Sequence, residues 1–236
     1  MLLLTRPRAA SEALARRLPQ MGQRVVIAPV MDIVPREPGP PVVGGTLVFS
    51  SANGVAAAAG QGLSRALPVV TVGEATARAA RAAGWQARCA GPTADALVAA
   101  LVADPPAGPL LHLHGAHARG EVAARLRQAG IDARDRVIYD QPERPLTAEA
   151  RAALAGAEPV ILPIFSPRSA ALLSRDVKAL APLHVIALSP AVAEEVHVPD
   201  ISSLQTCDNP TRDGMDAALK AALRRLCRVE RPEGRH

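Results

Sequence analysis

The chain has 236 residues, of which 49% are apolar and only 2% aromatic, so any core must be built mainly from Ala, Leu and Val. Its net charge of +5 favours an acidic partner, and arginine supplies 25 of the 27 basic residues. Arginine suits bidentate contacts with carboxylates and phosphates, although a GC-rich genome produces the same bias without any function. The sequence has no basic run interleaved with aromatics, so we do not expect nucleic acid as a partner.

The remaining composition points to the cytoplasm. The three cysteines, Cys89, Cys207 and Cys227, are odd in number and widely spaced, which predicts neither a disulfide framework nor a metal-binding pair. The first residues lack a basic segment before a short apolar run, so we expect no signal peptide. No stretch approaches the roughly 18 apolar residues of a membrane span, so we expect no membrane association.

Short apolar runs alternate with Ala- and Arg-rich helical stretches along the chain. The predicted strands are Leu2–Thr5, Val25–Pro29, Thr46–Ser50, Val69–Val72, Leu110–His114, Arg136–Tyr139, Val160–Phe165 and His184–Leu188. The predicted helices include Ser11–Met21, Glu74–Ala83, Ala94–Val102, Gly120–Ala129, Thr147–Ala155 and Asp213–Leu226. This alternation predicts an α/β fold in which helices cover parallel sheets.

An internal repeat indicates two similar lobes. The pair Phe49-Ser50 recurs as Phe165-Ser166 after 116 positions, and "VVTVGEATA" at 69–77 recurs at the same shift in "HVIALSPAVA". Further on, "GPTADALVAAL" matches "NPTRDGMDAAL" at a shift of 118. Three ordered matches at nearly one shift predict two related parallel-sheet lobes of the flavodoxin or Rossmann type.

The order of the matches predicts that one lobe is discontinuous. The segment that begins at Leu2 matches the segment that begins at Leu110, which closes the middle block. We therefore predict a discontinuous lobe of residues 1–35 and 142–236 and an inserted lobe of residues 38–139. The connectors at 36–37 and 140–141 lie in the proline-rich stretches "VPREPGPP" and "YDQPERP", so we expect them to be extended and to pair as a two-stranded hinge.

Polar residues follow the strands in both lobes, where open parallel sheets bind ligands. Hydroxyls there cap helices, and the first N–H groups of a helix attract anions. Simple capping explains any one of these residues, but the same chemistry in both lobes predicts an anion-binding cleft. The candidates are Ser50, Ser51, Asn53, Gly73, Glu74, Thr76, Ser166, Arg168, Ser169 and Ser189.

Two other features stay open from the residues alone. His112 and His114 share one face of a predicted strand and His117 follows, but no acidic or cysteine ligand completes a metal site, so we interpret them as a polar strand end. Tyr139, the only tyrosine, ends the strand that leaves the middle lobe. A role in packing and a role in catalysis would each explain a tyrosine at this position.

Several segments, in their order and spacing, resemble the uroporphyrinogen-III synthase family. The resemblance covers nearly the whole chain and implies that family's discontinuous two-lobe α/β fold. The segments are "LLLTRP", "LVFSSANGV", "VVTVGEATARAARAAGW", "GPTADAL", "HGAHARGEVAARLRQAG", "VIYDQP", "IFSPRSA" and "NPTRDGMDAAL".

The resemblance implies a cofactor-free, metal-free lyase that acts on hydroxymethylbilane, a linear tetrapyrrole polycarboxylate. Such an enzyme removes water, inverts ring D through a spiro intermediate and closes the macrocycle to uroporphyrinogen III. The family's candidate proton donor aligns with Tyr139, and we expect a monomer. The implied substrate-binding residues are Thr5, Arg6, Ser50, Ser51, Asn53, Gly73, Thr76, Arg119, Ser166, Arg168, Ser169 and Ser189.

The second half of the repeat departs from the family pattern. Ser189 and Val192 stand where the family carries a glycine and a threonine, and Pro163 interrupts a predicted strand. These departures keep two alternatives in view, an inactive homologue and a two-lobed small-molecule-binding protein. Turnover of hydroxymethylbilane separates both from the enzyme, because spontaneous closure gives the type I isomer.

Overall fold

The structure is a computed structural model that describes residues 1–18 and 22–229. It divides into two compact units. The first unit comprises Met1–Asp32 and the described residues from Glu143 onward, and the second unit is Ile33–Pro142. The predicted end of the first helix at Met21 and the side chain of Cys227 lie outside the described residues.

Strands and helices alternate through both units. The strands are β1 (Leu2–Leu4), β2 (Val25–Ile27), β3 (Val34–Pro35), β4 (Thr46–Phe49), β5 (Val69–Val72), β6 (Ala87–Gly91), β7 (Leu110–Gly115), β8 (Ala133–Asp140), β9 (Val160–Ile164), β10 (Leu183–Ala187) and β11 (Ser203–Thr206). The helices are α1 (Arg8–Arg17), α2 (Ala52–Ala59), α3 (Glu74–Ala82), α4 (Ala94–Ala103), α5 (Val122–Gln128), α6 (Ala148–Leu154), α7 (Pro167–Asp176), α8 (Pro190–Ala193) and α9 (Arg212–Val229). None of the helices in the described ranges is long and apolar enough to span a membrane.

The two sheets have the same parallel architecture. The first unit orders its strands β11-β10-β9-β1-β2, and the second orders them β3-β8-β7-β4-β5-β6. When β9, β10, β11, β1 and β2 are matched with β4, β5, β6, β7 and β8, the five-stranded parallel arrays coincide strand for strand. The predicted α/β fold with two similar parallel-sheet lobes, one of them discontinuous, is therefore confirmed.

The central strands β1, β4 and β9, which the sequence predicted, are buried on both faces, as parallel strands are. In β1, Leu3 packs into one core of the first unit, whereas Leu2 and Leu4 pack into the core on the opposite face. The same alternation divides Val48 of β4 from Leu47 and Phe49 in the second unit. Burying each such side chain contributes roughly 1.5–3 kcal/mol, so these runs fix the central strands.

The two connections between the units run antiparallel to each other. β3 pairs with the end of β8, where Val34 lies opposite Asp140 and Pro35 lies opposite Tyr139. The side chain of Arg36 adds an ion pair with Asp140 at 2.7 Å. In the first unit, an isolated bridge joins Met31 and Glu143.

Pro163 lies in the interior of β9, and the sheet accommodates it. The N–H of Ile161, two residues earlier, donates to the carbonyl of Met1 on the β1 side. Because N–H direction alternates along a strand, the nitrogen of Pro163 also faces β1. The pairing between β1 and β9 consists of Leu2 opposite Ile161, so the missing N–H falls beyond the end of that ladder.

Several elements were absent from the sequence prediction. The edge strands β6 and β11 contain few branched residues, on which a strand prediction depends, and each pairs with one neighbouring strand. β3 lies next to the predicted connector at 36–37, and its antiparallel pairing with the end of β8 corresponds to the expected two-stranded hinge. The helix predicted from Ser11 begins earlier, at Arg8, and the strand predicted from Arg136 begins at Ala133.

Candidate active site

The second unit brings predicted site residues together at the carboxyl end of its sheet. The chain order of the strands reverses between β4 and β7, which is where open α/β sheets bind ligands. Ser50 and Ser51 follow β4 at this point, and β7 ends beside them at Gly115. Tyr139 reaches the same edge from β8.

Ser51 and Tyr139 form a hydrogen-bonded pair at this edge. Ser51 caps α2 by accepting the N–H of Gly54 at 3.1 Å, and its Oγ also lies 3.1 Å from the phenolic oxygen of Tyr139. The Tyr139 side chain is only 5% exposed. Burial raises the pKa of Tyr139, while hydrogen bonds from Ser51 and from the backbone of Gly115 act in the opposite direction. The phenol is therefore protonated at neutral pH.

Gly115 is a site residue that the sequence reasoning missed. A Cβ at this position would lie 2.5 Å from two ring atoms of Tyr139, so only glycine lets the ring lie against the backbone. The register shift between His114 and Gly115 sets Gly115 opposite Tyr139 in the ladder. No local sequence signal reports this contact, because it depends on the bulge.

Ser50 makes a separate polar contact on the opposite face of β4. Its Oγ lies 3.1 Å from Nε2 of His112, which is only 4% exposed. Burial lowers the pKa of His112 to about 4, with a smaller contribution from His114. The predicted polar strand end thus contains a neutral imidazole. No cluster of three metal-ligating side chains occurs in residues 1–18 and 22–229.

The neighbouring turns hold the other residues predicted for the second unit. Gly73 begins α3 with φ +73°, and its N–H donates to the carbonyl of Gly91 at 2.8 Å. Thr76 is buried in α3, and its N–H donates to the Gly73 carbonyl. The backbone N–H groups of Gly73 and Thr76 are therefore both hydrogen-bonded within the fold. Asn53 lies half-buried in the first turn of α2, and Arg119 is exposed after β7.

The first unit presents a corresponding edge, where its chain order reverses between β9 and β1. Thr5 and Arg6 follow β1; Thr5 is buried, and the Arg6 guanidinium lies 4.2 Å from the centroid of the Phe165 ring. Burial lowers the pKa of Arg6 to about 10, helped by the positive charges of Arg17 and Arg212. None of the ion pairs among the described residues includes Arg6, although the negative charge of Asp216 opposes the lowering of its pKa.

The serines after β9 cap α7. Ser166 accepts the N–H of Ser169 at 3.1 Å, and the two hydroxyl oxygens lie 2.8 Å apart. Arg168, in the first turn, lies 3.7 Å from the carboxylate of Glu143, an acidic residue that sequence reasoning did not select. Ser189 precedes the four-residue α8, and its side chain makes no capping bond.

The cap positions correct the alignment of the repeat by one residue. Ser166 has the role of Ser51, not of Ser50, because β9 ends at Ile164 and β4 ends at Phe49. The third match keeps its shift of 118, since Thr93 and Thr211 accept the N–H groups of Ala96 and Gly214 in the same way.

Comparison with known proteins decides the family. The model for uroporphyrinogen-III synthase HemD matches residues 12–217. The chain belongs to the uroporphyrinogen-III synthase family. No curated protein matches it significantly.

Solved structures of the family share the fold. A uroporphyrinogen-III synthetase from Helicobacter pylori superposes with a TM-score of 0.65 at 15% identity, over 94% of this chain and 98% of that one. A mutant uroporphyrinogen III synthase from Thermus thermophilus gives a TM-score of 0.53 at 14% identity, over 97% and 98%.

Proposed function

We propose that this chain is a uroporphyrinogen-III synthase, which removes water from hydroxymethylbilane and closes it, with inversion of ring D, to uroporphyrinogen III. The family membership supports the reaction. The observation that carries the chemistry is the protonated Tyr139 phenol held beside Ser51 at the carboxyl end of the second unit's sheet.

Tyr139 is proposed as the general acid. Pyrrole nitrogens push electrons toward the departing hydroxyl, and a proton from the phenol lets that hydroxyl leave as water. The phenolate that remains accepts hydrogen bonds from the Ser51 hydroxyl and the Gly115 amide, the two contacts that favour the anion. It recovers its proton when the closed ring loses one, so the residue returns to its starting state.

Carboxylates of the substrate are proposed to bind through positive charge and helix starts. Arg6 is the strongest single candidate, since its guanidinium is stacked on Phe165 beside two further arginines and forms no ion pair among the described residues. Hydroxyl, amide and guanidinium groups supply the remaining contacts, while Gly73, whose N–H is bonded to Gly91, shapes the turn that presents them. We assign these to Thr5, Ser50, Ser51, Asn53, Gly73, Thr76, Arg119, Ser166, Arg168, Ser169 and Ser189.

The setting of the reaction is part of the same proposal. We infer a cytoplasmic, monomeric enzyme that needs no cofactor and binds neither nucleic acid nor membranes. The cysteine pattern and the absence of a basic run with interleaved aromatics support it. We also propose that residues 1–35 with 142–236, and residues 38–139, are separate folding domains.

The isomer of the product tests the function. Hydroxymethylbilane is generated enzymatically, this protein is added, and the uroporphyrin isomers are separated after oxidation. We expect type III to replace type I in proportion to the protein added. Type I alone, at every protein concentration, would reject the synthase function in favour of a binding protein or an inactive homologue.

A further inference from the structure

A buried histidine contacts one of the proposed substrate-binding hydroxyls. His112 lies in the interior of β7, opposite Val48 of β4 and Asp135 of β8. Its Nε2 is 3.1 Å from the Oγ of Ser50, and the ring is almost completely enclosed. The mechanism outlined above makes no use of this imidazole.

Neighbouring groups hold the His112 ring in one orientation. The ring of His114, two residues further along the same strand face, stacks on it with centroids 4.7 Å apart and planes at 28°. His114 is itself fixed, because its Nδ1 lies 2.8 Å from the Gly115 carbonyl oxygen and its Nε2 lies 3.7 Å from the Asp135 carboxylate. The rotation of the His112 ring that contacts Ser50 is therefore restricted.

The uncharged state of His112 suits this contact. Burial and the nearby His114 hold the pKa of His112 at about 4, against the opposing influence of Asp135. A neutral imidazole has one donor and one acceptor nitrogen, and a serine hydroxyl has one donor and two acceptor sites. In either tautomer Ser50 keeps hydrogen-bonding capacity for a ligand, while its oxygen stays in a fixed position.

We propose that His112 is a positioning residue, which holds the Ser50 hydroxyl at the carboxyl end of β4 in the orientation that hydrogen-bonds the tetrapyrrole. The inference rests on the proposed function. Burying a polar imidazole in an apolar strand interior costs free energy unless the ring is hydrogen-bonded, so the bond to Ser50 is the reason that a histidine is tolerated here. The adjoining core is otherwise aliphatic, formed by residues such as Val48, Val70 and Leu110.

A double-mutant cycle tests whether His112 acts through Ser50. The variants are His112→Phe, which keeps a ring but removes the nitrogen, Ser50→Ala, and the two combined. We expect each single change to lower kcat/KM for type III formation about five- to tenfold, as one lost hydrogen bond does. The combined variant should be no worse than Ser50→Ala. Independent, multiplying losses would overturn the proposal.

Two further variants separate positioning from packing. His112→Gln places an amide near the position of Nε2, so it should recover most of the activity lost in His112→Phe. His184→Phe is the matched control, because its Nδ1 lies 2.9 Å from Ser203 Oγ in a similar pair at the opposite, amino-terminal end of β10. It should leave kcat/KM unchanged. Equal losses in His112→Gln and His112→Phe would show a purely structural role.

Two measurements that need no turnover keep the test decisive. Uroporphyrin III binding, measured by fluorescence on the same variants, should show the same coupling even if the chain forms no type III isomer. Should His112→Phe fail to fold, Ser50→Ala should still shift the Nε2 resonance of His112 in nitrogen-15 spectra. An unshifted resonance, or affinities that do not change in any of these variants, would overturn the positioning role whether or not the chain is a synthase.

Discussion

The hydroxyl oxygens of Ser51 and Tyr139 lie 3.1 Å apart, and the same Ser51 oxygen accepts the N–H of Gly54 at the start of α2. One serine thus caps a helix and holds the proposed acid. Because the cap needs only the Ser51 oxygen, deleting the phenolic hydroxyl should leave α2 intact. This separation makes Tyr139 the cleanest position at which to test the chemistry.

Tyr139→Phe should slow formation of the type III isomer while the protein stays folded. General-acid assistance contributes about 10²- to 10⁴-fold, and because loss of the hydroxyl is already favoured by the pyrrole nitrogens we expect an effect near the low end. The free energy of unfolding should fall by only about 1 kcal/mol, the value of one hydrogen bond. Initial rates of isomer formation and a urea titration measure the two quantities. A variant with the wild-type rate would eliminate Tyr139 as the acid.

Ser166→Ala should destabilise the first unit, whereas Ser189→Ala should not. Ser166 caps α7 through the N–H of Ser169, and loss of such a cap costs about 1 kcal/mol. The Ser189 side chain makes no capping bond, so its removal should change the free energy of unfolding by less than about 0.5 kcal/mol. Chemical denaturation of both variants provides the comparison, and equal effects would contradict the cap assignment.

The stability of the protein should fall on acidification through His112. The pKa of its imidazole is about 4 in the fold, below the usual 6.5, so the unfolded chain takes up the proton first as the pH falls. The contribution of the neutral His112 to the free energy of unfolding is complete above pH 6.5 and is lost progressively towards pH 4. It totals about 3 kcal/mol.

His112→Gln removes this titration and serves as the reference. Between pH 7 and pH 5 the wild type should lose about 2 kcal/mol more of its free energy of unfolding than the variant does. Urea titrations at the two pH values measure the difference. Parallel losses in both proteins would mean that His112 titrates normally in the fold.

The arrangement of the strands was predictable from sequence because it depends on elements that are buried on both faces. Apolar runs such as 2–4 and 47–49 mark central strands, and the order in which the repeated segments occur predicted the permuted order of the two sheets. The matching segments at 91–101 and 209–219 were also visible, and the structure shows that each holds a capping threonine, Thr93 and Thr211, which the sequence reasoning did not name.

The details of the site depend on contacts that the sequence does not encode locally. The repeated Phe-Ser pair conceals a shift of one residue: Phe49 is fully buried in its strand, whereas Phe165 has left β9 and lies against Arg6. Gly115 meets Tyr139 only because a bulge shifts the register between β7 and β8. Such long-range relationships need the folded chain.

Arg6 should matter for tetrapyrrole binding and not for folding. Its guanidinium lies on Phe165 and forms no ion pair among the described residues. Burial lowers its pKa, with smaller contributions from Arg17 and Arg212 that Asp216 opposes. A cation in this setting has lost part of its hydration and is repelled by neighbouring arginines, so the negative charge of a bound polycarboxylate is favourable there. Methionine at position 6 would retain contact with the aromatic ring and remove the charge.

Arg6→Met should therefore weaken uroporphyrin III binding at least about tenfold, the effect of losing a charged hydrogen bond, while the free energy of unfolding stays equal or increases. Fluorescence titration and urea denaturation measure the two responses, and the affinity lost should shrink at high salt. Arg8→Met is the matched control, because Arg8 is exposed and makes only a surface pair with Glu12 at 3.9 Å. It should alter neither quantity. If Arg6→Met destabilised the protein and left the affinity unchanged, Arg6 would be a structural residue and carboxylate binding would have to be assigned elsewhere.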